Sequence, residues 1–159
     1  MAFQSQVNLY TAEGVAGDLA TPDQAVYTPQ NFLVGSGGVE VGKFAFADAT
    51  SNPATVAKKS GAGKPLGIVQ RVINYANYEL TEAGSMLLPQ GAPLTIVVKG
   101  DVWMTAPSVA SVGQKVFVNN STGEVSLSSA GASVTSSTET DWIVKTPAVI
   151  GGMMIVSNW

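Results

Sequence analysis

The sequence contains no histidine and no cysteine, and only 12% of its 159 residues carry charge. Soluble domains typically carry about 25% charged residues, so roughly half of the usual charge is missing. Without histidine, a serine nucleophile would need a lysine or a carboxylate as its base, and without cysteine the chain forms no disulfides. Charge depletion is typical of the centres of protein interfaces. These absences argue against an enzyme and favour a structural or binding protein.

Positive charge is also scarce and scattered. The chain has eight Lys and Arg residues and a net charge of -3, and its basic residues are spread out apart from the pair Lys58 and Lys59. This distribution offers no basic patch for nucleic acid. The first residues lack the basic and apolar regions of a secretory signal, and the longest apolar run, residues 148–156, is far shorter than the ~20 residues of a membrane helix. We therefore expect no nucleic-acid partner and no membrane partner.

Short apolar runs separated by 17 glycines and 8 prolines predict an all-β fold. The clearest element is a hairpin over residues 115–127, in which two β-rich segments flank a five-residue loop that ends in glycine. The apolar parity of residues 39–46 changes at Gly42, which predicts a β-bulge. The uniform parity of residues 94–104 predicts one long bent strand.

The end of the chain is predicted to form a loop and two strands. Residues 128–140 contain eight Ser or Thr residues and are interpreted as a surface loop. Residues 142–144 and 153–156 have the composition of the last two strands.

Residues 1–30 show no regular periodicity and are punctuated by glycine and proline. They predict an extended arm in front of a single β-barrel or sandwich domain at residues 31–159. Large apolar side chains stand far apart in this arm and cannot bury one another. The arm therefore lies over its own domain or reaches a neighbouring molecule, and we expect its anchors to bind a partner; these are Phe3, Leu9, Tyr10 and Tyr27.

The sequence contains only weak candidates for catalytic or metal-binding motifs. A Ser60 and Lys64 dyad has no supporting motif around it. Carboxylate pairs for glycoside hydrolysis could be drawn from Glu79 with Glu82 or from Asp18 with Asp23, but chance places acidic residues together this often, and the three tryptophans lie on separate predicted strands. No acidic stretch has EF-hand spacing. We predict no catalytic, cofactor-binding or metal-binding residues.

Five segments in order carry a resemblance across nearly the whole chain. They are GVAGD at 14–18, GGVEVGKF at 37–44, KPLGIV at 64–69, GQKVFV at 113–118, and residues 151–159. This series resembles the capsid cement, or decoration, proteins of tailed bacteriophages.

The resemblance implies a jelly-roll-like barrel or sandwich that forms a dimer or trimer on the outside of an icosahedral head. It implies that the protein binds the major capsid protein, cross-links neighbouring capsid subunits, and is assembled into the virion in the cytoplasm of the bacterial host. It supplies no catalytic residues and no cofactor. The alternative is a carbohydrate- or ligand-binding β-barrel module of a phage fibre or adhesin, in which polar and aromatic groups would converge on one mouth.

Overall fold

A computed structural model describes residues 13–21, 24–50, 55–72 and 86–159. These residues form fourteen short strands and contain no helix, which confirms the predicted all-β class. The strands are β1 (Val26–Tyr27), β2 (Phe32–Val34), β3 (Val39–Glu40), β4 (Phe44–Ala47), β5 (Val56–Lys58), β6 (Gly67–Val69), β7 (Leu87–Leu88), β8 (Pro93–Leu94), β9 (Ile96–Lys99), β10 (Asp101–Thr105), β11 (Lys115–Asn119), β12 (Val125–Ser128), β13 (Ser137–Val144) and β14 (Met153–Ser157).

The strands belong to three sheets. The largest has the order β1-β9-β6-β4-β5-β2-β8, in which only the pairing of β2 with β5 is parallel. The second has the order β10-β14-β13-β11-β12 and is antiparallel throughout. The third consists of β3 and β7.

Side chains from the two large sheets share one hydrophobic core. Phe44 on β4 and Trp142 on β13 meet edge to face, with ring centroids 6.3 Å apart and planes at 79°. Both rings are buried, and such a pair contributes about 0.5–1.5 kcal/mol beyond its buried area. Further buried members of this core are Phe46, Ile68, Val97, Val102, Met104, Val116, Val118, Val144, Met154 and Val156.

The chain passes from one large sheet to the other at Gly100. The segment predicted as one long bent strand is three strands, of which β8 and β9 lie in the seven-stranded sheet and β10 in the five-stranded sheet. The buried parity also changes before this point, because Ile96 and Val97 are both fully buried. Residues 94–104 therefore contribute side chains to both large sheets.

The bulge predicted at Gly42 is wrong. Residues 40–43 form a turn, in which the Lys43 amide donates to the Glu40 carbonyl oxygen over 3.4 Å, and the strands on either side belong to different sheets. The change of apolar parity reflects this change of sheet.

The hairpin predicted at 115–127 is confirmed, because β11 and β12 pair from Lys115 with Ser128 to Val118 with Val125. The predicted strands at 142–144 and 153–156 are also present, within β13 and β14. The loop predicted over 128–140 is too long, since β13 begins at Ser137 and pairs with β11. Thr140 is buried there, and its hydroxyl donates to the Val116 carbonyl oxygen over 2.8 Å. Polar composition concealed a strand whose hydroxyl groups are hydrogen-bonded.

Candidate functional site

Two loops meet at one end of the five-stranded sheet. Strand β10 ends at Thr105 opposite Met153, where β14 begins, so the loops 106–114 and 145–152 both lie at this end. Ala110 and Ala148 join them by exchanging backbone hydrogen bonds of 2.8 and 3.2 Å. The Gly151 amide also donates to the Ala106 carbonyl oxygen over 2.9 Å. The loops therefore hold each other in one fixed arrangement.

Apolar side chains point outward from these loops. The Gln114 amide donates to the Ser111 carbonyl oxygen and the Gly152 amide to the Val149 carbonyl oxygen, which closes two β-turns. Gly113 and Gly151 take the third position of these turns with φ of 90° and 77°, as type II turns require. The preceding tip residues are Val112 and Ile150. Turn tips usually carry polar residues or glycine, so an exposed valine and an exposed isoleucine there need another explanation.

Charge is scarce at this end, where Lys145 begins the second loop and Glu13 lines the adjoining groove. Residues 102–114 and 146–159 contain no Asp, Glu, Lys or Arg. Four large apolar side chains on the two loops are 63–70% exposed: Val109, Val112, Val149 and Ile150. We call the loops 106–114 and 146–152 the uncharged end. Apolar surface with little charge is typical of sites where another protein binds.

The first described residue, Glu13, lies at the uncharged end. Glu13 lines the same shallow groove as Val109, Val149 and Met153. From there the chain runs antiparallel to β10: the Gly17 amide donates to the Trp103 carbonyl oxygen over 2.8 Å, and the Trp103 amide donates to the Asp18 carbonyl oxygen over 2.9 Å.

The four predicted anchors fall in two groups. Phe3, Leu9 and Tyr10 lie outside the described residues. Tyr27 is on β1, an edge strand of the seven-stranded sheet, where it pairs with Val97 and is 41% exposed. The chain runs the length of β10 between Glu13 and β1, so Tyr27 is not part of the uncharged end. The role of all four residues as partner contacts stays a prediction.

The opposite end of the five-stranded sheet is held by contacts within the chain. The side-chain oxygen of Asn119 accepts hydrogen bonds from the Ser121 and Thr122 amides over 2.9 and 3.1 Å. Gly123 packs directly against the carbonyl oxygen of Lys59, and the Gly61 amide donates to the Asn120 carbonyl oxygen over 2.9 Å. We call residues 119–124 with these contacts the closed end.

Charged residues also reach the closed end. Lys43 lies 2.8 Å from Glu40 and 3.4 Å from Glu124. Burial alone would lower the pKa of Lys43, but the hydrogen bonds and charges of the two carboxylates outweigh it and raise the pKa. The closed end therefore differs from the uncharged end in carrying charged side chains as well as in exposing fewer apolar ones.

The candidate catalytic pairs do not form a site in the described part of the chain. Lys64 forms an ion pair with Asp141 at 2.9 Å, and Asp18 forms one with Arg71 at 3.2 Å. Asp23, Glu79 and Glu82 lie outside the described residues. Over residues 13–21, 24–50, 55–72 and 86–159, no three His, Cys, Asp or Glu residues are grouped to hold a metal ion, and no helix could cross a membrane.

The tryptophans do not gather around a ligand cleft either. Trp142 is buried in the core, the Trp103 ring packs against Gly14, and Trp159 is exposed beyond the end of β14 that lies away from the uncharged end. This placement lacks the convergent aromatic mouth that the carbohydrate-binding alternative requires.

A β domain with an apolar end that carries little charge favours a structural protein that attaches to other proteins. Comparisons with known proteins agree. Residues 3–158 match the family model described as "Structural cement protein (E217 gp24/Pam3 gp6)", and the chain belongs to this family. It is a non-enzymatic component of the phage capsid that stabilises the head, as the sequence resemblance implied.

The fold is shared with a solved capsid structure. A chain of "The capsid of Myoviridae Phage XM1" superposes with a TM-score of 0.64 at 16% identity, over 99% of this chain and 98% of that chain. No curated protein in the comparison matches the sequence.

The uncharged end was missed at the level of sequence. A signal for it exists, because residues 102–114 and 146–159 are both free of charge and both place a large aliphatic residue directly before a turn glycine. Which of these segments share one end of a sheet becomes visible only in the folded chain.

Proposed function

We propose that this cement protein binds the major capsid protein on the outside of the head as a homo-oligomer and cross-links neighbouring capsid subunits. The observation that carries the proposal is the position of Glu13, the first described residue, at the rim of the uncharged end. An arm of twelve residues before Glu13 can extend about 40 Å at 3.3–3.6 Å per residue. Each arm can therefore reach well beyond the domain that it leaves.

The anchors in this arm are the proposed capsid contacts. Phe3, Leu9 and Tyr10 provide apolar side chains, and each would contribute roughly 1.5–3 kcal/mol if fully buried against a partner. Tyr27 would add a contact from β1, which is an edge strand among the described residues, and such a strand can accept another chain. An oligomer that engages several capsid subunits gains avidity, since the second contact forms at high effective concentration.

Two finer features belong to the same proposal. The sheets would follow a jelly-roll-like arrangement, and the oligomer would be a dimer or a trimer. The division into an arm at 1–30 and a domain at 31–159 is part of the same proposal.

Co-sedimentation with undecorated heads tests the proposal. A variant with Phe3→Ala, Leu9→Ala and Tyr10→Ala should bind heads at least a hundredfold more weakly, since it loses about 3 kcal/mol or more of apolar burial. The single change Leu9→Ala should weaken binding measurably, whereas Leu33→Ala, which removes the same atoms from an exposed site on β2, should not. Equal binding by the triple variant and the unchanged protein would disprove the role of the arm.

A further inference from the structure

The turn at residues 14–18, with the sequence GVAGD, is closed by its own aspartate. The Asp18 amide donates to the Val15 carbonyl oxygen over 2.9 Å, and the Asp18 carboxylate accepts from the Val15 amide over 3.1 Å. Gly17 takes the third position of this turn with φ of 88°, as a type II turn requires. We call residues 14–18 the latch.

Gly17 of the latch lies against Gly42 in the turn at residues 40–43. A Cβ at Gly42 would lie 2.9 Å from the Gly17 nitrogen, and a Cβ at Gly17 would lie 3.0 Å from the Gly42 nitrogen and 2.9 Å from the Arg71 nitrogen. Neither position has room for a side chain, so any other residue there would push the two turns apart.

The latch is held from both large sheets. From the five-stranded sheet, the Trp103 carbonyl oxygen accepts from the Gly17 amide over 2.8 Å. Arg71 follows β6 of the seven-stranded sheet; its amide donates to the Gly17 carbonyl oxygen over 2.9 Å, and its guanidinium lies 3.2 Å from the Asp18 carboxylate. A turn that is fixed by two sheets cannot pivot about either of them.

The latch buries little apolar surface. Its largest apolar side chain, Val15, is 46% exposed, and its other residues are two glycines, Ala16 and Asp18. The contacts of the latch therefore fix the position of the backbone more than they extend the hydrophobic core. The backbone so fixed leads to Glu13, at the rim of the uncharged end.

We propose that the residues that hold the latch are positioning residues for capsid binding; they are Gly17, Asp18, Gly42 and Arg71. This inference rests on the proposed function, in which the anchors of the arm contact the capsid. Release of the latch and of the pairing with β10 would move the first fixed residue to β1 and lengthen the arm before it from 12 to 25 residues. Effective concentration falls roughly as the −3/2 power of tether length, so binding through the arm should weaken about threefold.

Amide hydrogen exchange of the free protein tests whether the glycine contact holds the latch. In the variant with Gly17→Ala and Gly42→Ala, exchange at the Ala20 amide, which is hydrogen-bonded to β10, should become at least about tenfold faster. The control with Gly37→Ala and Gly131→Ala has similar positive φ, 86° and 74°, but nothing lies within 4 Å of either new Cβ. It should leave this exchange unchanged.

A milder variant keeps the inference testable if the double alanine variant does not fold. Arg71→Gln removes the ion pair with Asp18 and keeps both glycines, so exchange at Ala20 should rise by a smaller factor. Lys64→Gln, which removes the exposed ion pair with Asp141, should have no effect on it.

Co-sedimentation with undecorated heads tests the positioning role by a double-mutant cycle. The variant with Gly17→Ala and Gly42→Ala should bind heads about threefold more weakly than the unchanged protein. In the background of Phe3→Ala, Leu9→Ala and Tyr10→Ala, the same two substitutions should have no further effect, because they act through the arm. A latch that only stabilises the domain would give the same loss in both backgrounds.

Unchanged exchange at Ala20 in the latch variants would overturn the inference, and so would faster exchange with unchanged head binding. An equal loss of head binding in both backgrounds would overturn it as well. Full head binding by the variant with all three arm anchors replaced would instead contradict the proposed function, while the exchange result would still show whether the glycine contact holds the latch.

Discussion

The two ends of the five-stranded sheet use the same kind of structure, a pair of loops, in opposite ways. At the closed end the loop 119–124 makes its contacts within the chain. Asn119 accepts a hydrogen bond from a loop amide, Gly123 packs against Lys59, and Lys43 forms an ion pair with Glu124. At the uncharged end the loops satisfy their backbone through Ala110 and Ala148 and turn aliphatic side chains outward. The closed end therefore contributes to the stability of the domain, whereas the uncharged end leaves apolar side chains exposed.

Truncation of the arm should have the largest effect and should separate stability from binding within the first thirty residues. Deleting residues 2–30 removes β1, the backbone partners of β10, and the packing of Leu19 against the core, so the free energy of unfolding should fall by roughly 4 kcal/mol or more. Deleting residues 2–12 should change it by less than about 1 kcal/mol and should abolish head binding. Urea unfolding and co-sedimentation measure the two effects.

Equal loss of stability in the two deletion variants would contradict this expectation. Equal destabilisation by both deletions would show that Phe3, Leu9 and Tyr10 pack on their own domain.

A matched pair of glycine substitutions compares the two ends directly. Gly123 and Gly151 have nearly equal positive φ, 76° and 77°, so alanine should cost about 1–2 kcal/mol of backbone strain at either position. At Gly123 the new Cβ would also overlap the Lys59 carbonyl oxygen, whereas at Gly151 it meets open space. We expect Gly123→Ala to destabilise the protein by roughly 2 kcal/mol more than Gly151→Ala in thermal unfolding. Equal losses of stability in the two variants would mean that the backbone around Lys59 moves to accept the new Cβ at no cost in free energy.

The buried hydroxyl of Thr140 provides a smaller effect. It donates to the Val116 carbonyl oxygen and accepts from the Trp142 amide, so Thr140→Val leaves a buried acceptor and a buried donor with fewer partners. The expected loss is about 1–2 kcal/mol by urea unfolding. Thr105→Val, at an exposed site on β10, should cost less than about 0.5 kcal/mol. A neutral Thr140→Val would show that packing alone holds β13 in place.

The smallest effect concerns acid stability away from the uncharged end. Hydrogen bonds from Lys58, at 2.7 Å, and from the Thr50 hydroxyl and amide lower the pKa of Asp48 from 3.8 to about 2. A lowered pKa in the folded state means that the stabilisation is present above pH 4 and is lost as the pH falls towards 2. Asp48→Asn should therefore flatten the fall of the unfolding temperature between pH 4 and pH 2. If Asp48→Asn leaves the dependence of the unfolding temperature on pH unchanged, other carboxylates cause the loss of stability in acid.

Sequence patterns predicted the elements that local chemistry determines. The hairpin at 115–127 was predictable because its loop, with Gly123, and its β-rich arms are contiguous, and the all-β class followed from the same kind of signal. The errors at Gly42 and in residues 94–104 share one cause. Parity along a strand shows which side chains are buried, but it does not show in which sheet, and here the chain changes sheet at both places.

The Ser/Thr-rich segment and the uncharged end were hidden for a related reason. Thr140 looks like a loop residue until Val116 is placed beside it as a hydrogen-bond acceptor. Val112 and Ile150 look like ordinary strand-flanking residues until the pairing of Ala110 with Ala148 brings their loops together. Both depend on contacts between residues that are distant in sequence.

The course of residues 17–20 along β10 has a mechanical consequence. The backbone hydrogen bonds of Gly17, Asp18 and Ala20 to β10 lie across the course of residues 17–20 along that strand. A pull on the arm from beyond Glu13 would therefore load these bonds together, in shear, instead of opening them one after another. The attachment of the arm to its domain is built to resist tension, which is the load that a clamp between subunits must carry.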